Sequence, residues 1–248
     1  MRFDLILRRA LAALALTGAV ILGTGCSRDE PKPEVMPAAQ AQPTPLAPAP
    51  KKSAPAADKR AVIVTFGDSL TAGFGADPGQ SYPDYLQRDL ERHGYGYRIV
   101  NQGVSGDTTS GGLSRVDQVT ALQPSVVILE LGGNDGLRGI PVSSIRDNLT
   151  QIIEELKRTR SHILLAEMTL PPNYGQDYIQ EFESLYRELA AKYHLPAFTF
   201  PFRELFEKGL MQPDGIHATA EGNELVAHTV MKSLAPLLAH PHQGTSPQ

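Results

Sequence analysis

The sequence predicts a three-layer α/β/α fold, with a parallel sheet of about five strands, over residues 60–240. Three observations carry this. The segments 61–66 and 125–131 are almost wholly apolar or β-branched, as in strands covered on both faces. Strand-like and helix-like segments alternate along the whole stretch, the pattern of βαβ units. Finally, Ser69, Gly106 and Asn134 each fall just beyond the carboxyl end of one of the first three strands, where open α/β sheets build their sites.

Taken in order, the strands are 61–66, 98–101, 125–131, 163–167 and a short 197–200. Between the first two, a helix over 82–93 ends at Gly94, a C-cap signal. A second helix, 113–122, stops before Pro124. The third, 142–159, places Ile145, Leu149, Ile152, Ile153 and Leu156 on one stripe. Helices over 178–193 and 220–238 complete the alternation.

The ends of the chain differ in kind. Arg2, Arg8 and Arg9 precede a thirteen-residue small and apolar run, 10–22, and then Gly23-Thr24-Gly25-Cys26. The run is too short to span a bilayer comfortably and reads as a signal peptide over 1–25. Cys26 sits where bacterial lipoprotein signals place the lipidated residue, although Gly23 departs from the branched apolar residue usual in that box. Residues 27–59 hold eight prolines and eight alanines with no apolar period, so 26–59 reads as a disordered linker. Residues 241–248 read as a frayed tail. The expected location is the periplasmic face of a bacterial membrane, reached through a lipid anchor at Cys26.

Charge excludes one class of partner. The first 60 residues carry nine basic and five acidic residues, which leaves 14 and 22 in the remainder, a net of −8. Such a domain is poorly suited to nucleic acid, whose binding runs on phosphate neutralisation. Cys26 is the sole cysteine, so no intrachain disulfide forms. Neither metal-ligand spacing nor a phosphate-cradling loop occurs, so neither metal nor cofactor is expected. The domain is read as monomeric.

Ser69 follows a strand in Phe66-Gly67-Asp68-Ser69-Leu70, and Asp214-Gly215-Ile216-His217 lies far downstream. Serine is a weak nucleophile that needs an adjacent base, and the base needs a third group to hold its tautomer. Of seven histidines, only His217 has an acid three residues before it in a glycine-containing loop. Ser69, His217 and Asp214 are therefore the candidate nucleophile, general base and orienting carboxylate. A serine after a strand also serves as a helix N-cap. Asp68 reads as a local backbone partner. Gly106 can bring its N–H close to a ligand, with Gly103 as a nearby rival, and Asn134 offers a side-chain NH2.

Four ordered blocks then stand out: Gly67-Asp68-Ser69-Leu70, Val104-Ser105-Gly106-Asp107, Gly132-Gly133-Asn134-Asp135 and Asp214-Gly215-Ile216-His217. They resemble the SGNH, or GDSL, hydrolase family. The longer stretches 105–109, 129–139 and 170–175 are similar to its arylesterase branch, which includes acyl-CoA thioesterases and lysophospholipases. The resemblance implies a flavodoxin-like sheet and an oxyanion hole made by the Ser69 N–H, Gly106 and Asn134. It also implies a small-molecule acyl ester or thioester substrate, with Leu170, Pro171, Asn173 and Tyr174 lining the acyl groove. Residues 136–141, with two glycines beside Asn134, are a candidate flap. The same blocks serve deacetylases of cell-envelope polysaccharide, an alternative activity. A tethered binding module would require loss of a catalytic residue, and none is lost.

Overall fold

The structure is a computed structural model that describes residues 58–238. The signal peptide, Cys26, all but the last two residues of the linker, and the tail lie outside the described residues. Five parallel strands form one sheet: β1 (Ala61–Gly67), β2 (Tyr97–Gly103), β3 (Val126–Glu130), β4 (His162–Glu167) and β5 (Ala197–Thr199). Their spatial order is β2-β1-β3-β4-β5. The order reverses between β1 and β3, the switch point at which a flavodoxin-like sheet opens a crevice. Gly67 of β1 stands opposite both Gly103 of β2 and Glu130 of β3, so three connections leave the sheet at one level.

The helices are α1 (Ser69–Ala72), α2 (Tyr82–Arg92), α3 (Thr109–Ser114), α4 (Val116–Thr120), α5 (Gly133–Leu137), α6 (Val142–Arg158), α7 (Gln176–Tyr193), α8 (Phe202–Glu207) and α9 (Ala220–Leu234). Helix α2 packs on α9, while α3 and α4 pack on α6 and α6 on α7. That division follows from right-handed crossovers that run one way from β1 to β2 and the other way thereafter. The expected α6 stripe is fully buried at Ile145, Leu149, Ile152, Ile153 and Leu156, and each such side chain stabilises the fold by about 1.5–3 kcal/mol. All five residues of β3 are buried, as its composition required.

Two expectations about helices need correction. The helix read over 113–122 is two short ones, α3 and α4, broken at Arg115, whose φ of −127° and ψ of 13° leave the helical region. The helix read to 238 ends at Leu234 and continues as a 3-10 turn, Ala235–Leu237. Helices α1, α5 and α8 were not expected. Among the described residues, no helix is long and apolar enough to cross a membrane.

Candidate active site

The Ser69 turn is built by close approach and by a cap. A Cβ on Gly67 would lie 2.6 Å from both the Glu130 carbonyl and carboxyl oxygens and 2.1 Å from Thr71 Oγ1. Only glycine lets β1 end this near to β3. Asp68 is then the N-cap of α1, its Oδ1 accepting the Leu70 N–H at 3.0 Å. Ser69 is the first helical residue rather than the cap, which leaves its hydroxyl for another partner.

That partner is His217. Ser69 Oγ lies 2.8 Å from His217 Nε2, and His217 Nδ1 lies 2.6 Å from Asp214 Oδ2. The carboxylate accepts the Nδ1 proton, which leaves the Nε2 lone pair facing the hydroxyl. The loop holding both residues is closed by a bridge between Met211 and Ala218 and by the Gln212 N–H on the His217 carbonyl at 2.7 Å. The ring of Phe74, which follows α1, packs on the His217 ring with centroids 4.5 Å apart. Burial pushes the Asp214 carboxyl up, but the His217 ring and the N–H groups of His217 and Ile216 outweigh it and hold it at about 2. It is poised to face an imidazolium as a charged group.

A pair of carboxyls lies under the serine. Burial pushes Asp68 up to about 6, against hydrogen bonds from the Leu70 N–H and the Asn134 amide. Burial, and then the Asp68 charge, raises the fully buried Glu130 well above the usual carboxylate range. Glu130 Oε2 accepts the Thr71 hydroxyl at 2.8 Å, and Oε1 has no partner among the described residues.

Beside Ser69 stand the other sequence-predicted donors. In the turn after β2 the Asp107 N–H bonds the Val104 carbonyl at 3.0 Å, and Gly106 sits at its third position with φ of +81°. Glycine is favoured there because a side chain would be strained at positive φ. Among the described residues, no acceptor pairs with the N–H of Ser69 or of Gly106. The Gly103 N–H, by contrast, is spent on Asn101 Oδ1 at 2.8 Å, which separates the two glycine candidates. Asn134 Nδ2 donates to Asp68 Oδ2 and to the Asp107 carbonyl, both at 2.9 Å. Two acceptors fix which way the amide faces, and an oxyanion at Nδ2 would share one of these hydrogens.

A cavity of about 320 Å³ opens at this point, at the low end of the range for small-molecule sites. Asp68, Ser69 and Asn134 form its polar end, and Leu70, Leu137, Met168, Leu170, Pro171, Pro172, Phe202, Phe206 and Ile216 its apolar walls. Of the four residues expected on the wall, Leu170 and Pro171 are there. Asn173 and Tyr174 are not: the chain turns away in a 3-10 turn, Pro172–Tyr174, and the Tyr174 hydroxyl donates to the Leu137 carbonyl at 3.0 Å. With Tyr178 donating to the Ile140 carbonyl at 2.6 Å, it pins the stretch read as a flap. Sequence reasoning missed Met168, Phe202, Phe206 and Ile216. The i, i+4 spacing of Phe202 and Phe206 was the available signal.

A serine, a histidine and a carboxylate in hydrogen-bonded series at the carboxyl edge of a parallel sheet is the arrangement of the α/β serine hydrolases. Residues 65–225 match the GDSL-like lipase/acylhydrolase family. An esterase, TesA, of Pseudomonas aeruginosa is 37% identical over 178 residues, covering 71% of this chain and 89% of the relative. The thioesterase 1/protease 1/lysophospholipase L1 of Escherichia coli is 35% identical over 180 residues, covering 72% and 85%. The crystal structure of AlinE4, an SGNH-hydrolase family esterase, superposes with a TM-score of 0.61 at 43% identity, covering 73% of this chain and 98% of that one. The chain belongs to the GDSL-like lipase/acylhydrolase family and is an ester-hydrolysing enzyme.

Proposed function

We propose that the protein hydrolyses carboxylic esters and thioesters through an acyl-enzyme on Ser69. His217 acts as general base, Asp214 orients it, and the Ser69 N–H, Gly106 N–H and Asn134 form the oxyanion hole. The observation that carries this reading is the unbroken series from Asp214 Oδ2 through His217 to Ser69 Oγ, at 2.6 and 2.8 Å, at the polar end of an apolar cavity. His217 Nε2 takes the hydroxyl proton as Oγ attacks the acyl carbon. The carbonyl oxygen becomes an oxyanion, and each preorganised donor is worth about 3 kcal/mol there. The imidazolium returns its proton to the departing alkoxide or thiolate. Water, deprotonated by His217, then attacks the acyl-enzyme and releases the acid.

The relatives' named activities as esterase, thioesterase and lysophospholipase support an acyl substrate. The apolar wall at Leu170 supports an alkyl chain in the cavity. Each CH2 buried there contributes up to about 0.8 kcal/mol. A series of p-nitrophenyl esters from acetyl to octanoyl tests this. The expected result is a kcat/KM that rises with chain length and a Leu170→Asp variant that loses more on octanoyl than on acetyl. Preference for acetyl with no dependence on length would instead support the polysaccharide deacetylase.

The proposed layout of the whole chain is a signal peptide over 1–25, a linker over 26–59, the hydrolase over 60–240 and a tail over 241–248. The lone cysteine after an apolar run supports diacylation of Cys26 and a site of action at the periplasmic face of a membrane. The full chain expressed in a Gram-negative host is expected in the detergent phase, and its Cys26→Ser variant in the aqueous phase. A wild-type chain wholly in the aqueous phase would refute the anchor.

A further inference from the structure

The break between α3 and α4 has a consequence at the site. Because Arg115 leaves helical geometry, its side chain turns inward toward the carboxyl ends of β1 and β2, where only 12% of it remains exposed. Nε donates to Asp107 Oδ2 at 2.8 Å, Nη1 to the Gln102 carbonyl at 2.9 Å and Nη2 to the Gly67 carbonyl at 3.0 Å. The guanidinium carbon lies 4.6 Å from the centre of the Phe66 ring. One planar fork therefore spans the end of β1, the end of β2 and the turn that follows β2. Every acceptor it uses lies within three residues of Ser69 or within four of Gly106.

Asp107 passes this on. Its carboxylate is held by Arg115, its N–H closes the turn around Gly106, and its carbonyl accepts Asn134 Nδ2. Two oxyanion donors carried on separate connections thus meet at one residue, and that residue is tied through a single guanidinium to Gly67, the end of β1 two residues before Ser69. A buried ion pair is weak evidence for stability, since apolar residues of similar volume often do as well. What this one supplies is a fixed distance between loops.

We propose that Arg115 is a positioning residue of the hydrolytic site: it holds the Gly106 turn, and through Asp107 the Asn134 amide, in register with the Ser69 turn for oxyanion binding. This rests on the oxyanion hole assigned above. The geometry requires the fork. Lysine offers a point charge that can pair with Asp107 but cannot also bridge two carbonyls in one plane.

The test uses the full chain carrying Cys26→Ser, with p-nitrophenyl butyrate as substrate and an alkyl trifluoromethyl ketone as transition-state analogue. Misplacement of a donor by an ångström costs about 100-fold, so Arg115→Ala is expected to lower kcat on that order while KM stays within about twofold. The inhibition constant of the ketone should rise by the same factor, because its adduct bears the oxyanion. Arg115→Lys, which keeps the charge and guards against a variant that does not fold, should recover only part of the loss. Ser161→Ala is the stability control. It removes a buried bond of 2.6 Å to the Pro124 carbonyl at the amino edge of the sheet, and should lower the melting temperature with kcat unchanged. An Arg115→Ala or Arg115→Lys enzyme with wild-type kcat and ketone affinity overturns the positioning role. If Asn134→Ala keeps the wild-type rate, the oxyanion assignment itself has failed; if Asn134→Ala is impaired and Arg115→Ala is not, only the positioning claim has.

Discussion

Asp214 and Asp68 sit on opposite sides of the Ser69–His217 pair, and their surroundings drive them apart. Asp214 lies on a partly exposed loop, its side chain 38% exposed, yet three N–H donors hold it at about 2. Asp68 is 2% exposed, accepts two N–H donors of its own, and still rises to about 6 because burial outweighs them. Donor count alone does not rank the two; the solvent each one keeps decides it. The difference suits their places. In the proposed mechanism the carboxylate beside the imidazole stays charged while a proton moves, whereas the one beneath the serine caps a helix and steadies an amide.

The sharpest test of that contrast is activity. Ser69→Ala and His217→Ala should each lower kcat by about 10⁴–10⁶-fold, and Asp214→Asn by somewhat less, because triad members act as a unit but unequally. Asp68→Asn should cost only about 10–100-fold, since asparagine can still cap Leu70 through Oδ1 and Asn134 Nδ2, losing its acceptor on Asp68, keeps the Asp107 carbonyl. Steady-state kinetics on p-nitrophenyl butyrate checks both. An Asp68→Asn enzyme as crippled as Asp214→Asn would place Asp68 in the proton path and break the comparison.

Stability against pH gives a smaller effect with opposite signs. The folded pKa of Asp214 is depressed, so its contribution is present above its ordinary pKa near 3.8 and is lost as pH falls toward about 2. It should be on the order of 1 kcal/mol once solvent screening is allowed for. The folded pKa of Asp68 is raised, so ionising it costs stability progressively as pH climbs from near 3.8 through about 6. Melting temperatures between pH 3 and 8 should therefore show Asp214→Asn approaching wild type at the acid end, and Asp68→Asn gaining on wild type toward neutrality. Glu130→Gln should move the curve least, because burial already disfavours the Glu130 charge and glutamine keeps an acceptor for Thr71. A pH-dependent penalty of several kcal/mol in that variant would mean Glu130 is ionised.

How far these features could be read from the chain depends on whether they are local. The runs in β1 and β3 and the stripe on α6 declare themselves because burial on two faces, or on one stripe, writes directly into composition. The blocks around Ser69, Gly106, Asn134 and His217 were legible because turn chemistry and residue type coincide there. The break at Arg115 was not, because nothing within 113–122 forbids a helix; the partners its side chain meets, Gly67, Gln102 and Asp107, lie elsewhere in the chain. Helix α8 escaped for want of length: it has six residues, no side-chain cap and one fully buried side chain, Leu205. Two of the cavity's aromatic walls went unread with it. From the sequence, Asn173 and Tyr174 belong to the wall by resemblance and by position after the fourth strand, and neither ground carries the 3-10 turn that takes them away from Leu170.

The hydrogen bond between Ser69 and His217 joins residues 148 positions apart. At about 5–20 residues per second, the serine leaves the ribosome roughly 7–30 s before its base. By its end β1 to β5 have all been made, but the cavity still lacks Ile216 and the hydroxyl still lacks a partner to take its proton. The enzyme is thus born inert. On the proposed mechanism competence arrives with one of its last segments, when the loop ahead of α9 docks against Phe74, so an interrupted or truncated chain carries Ser69 without His217.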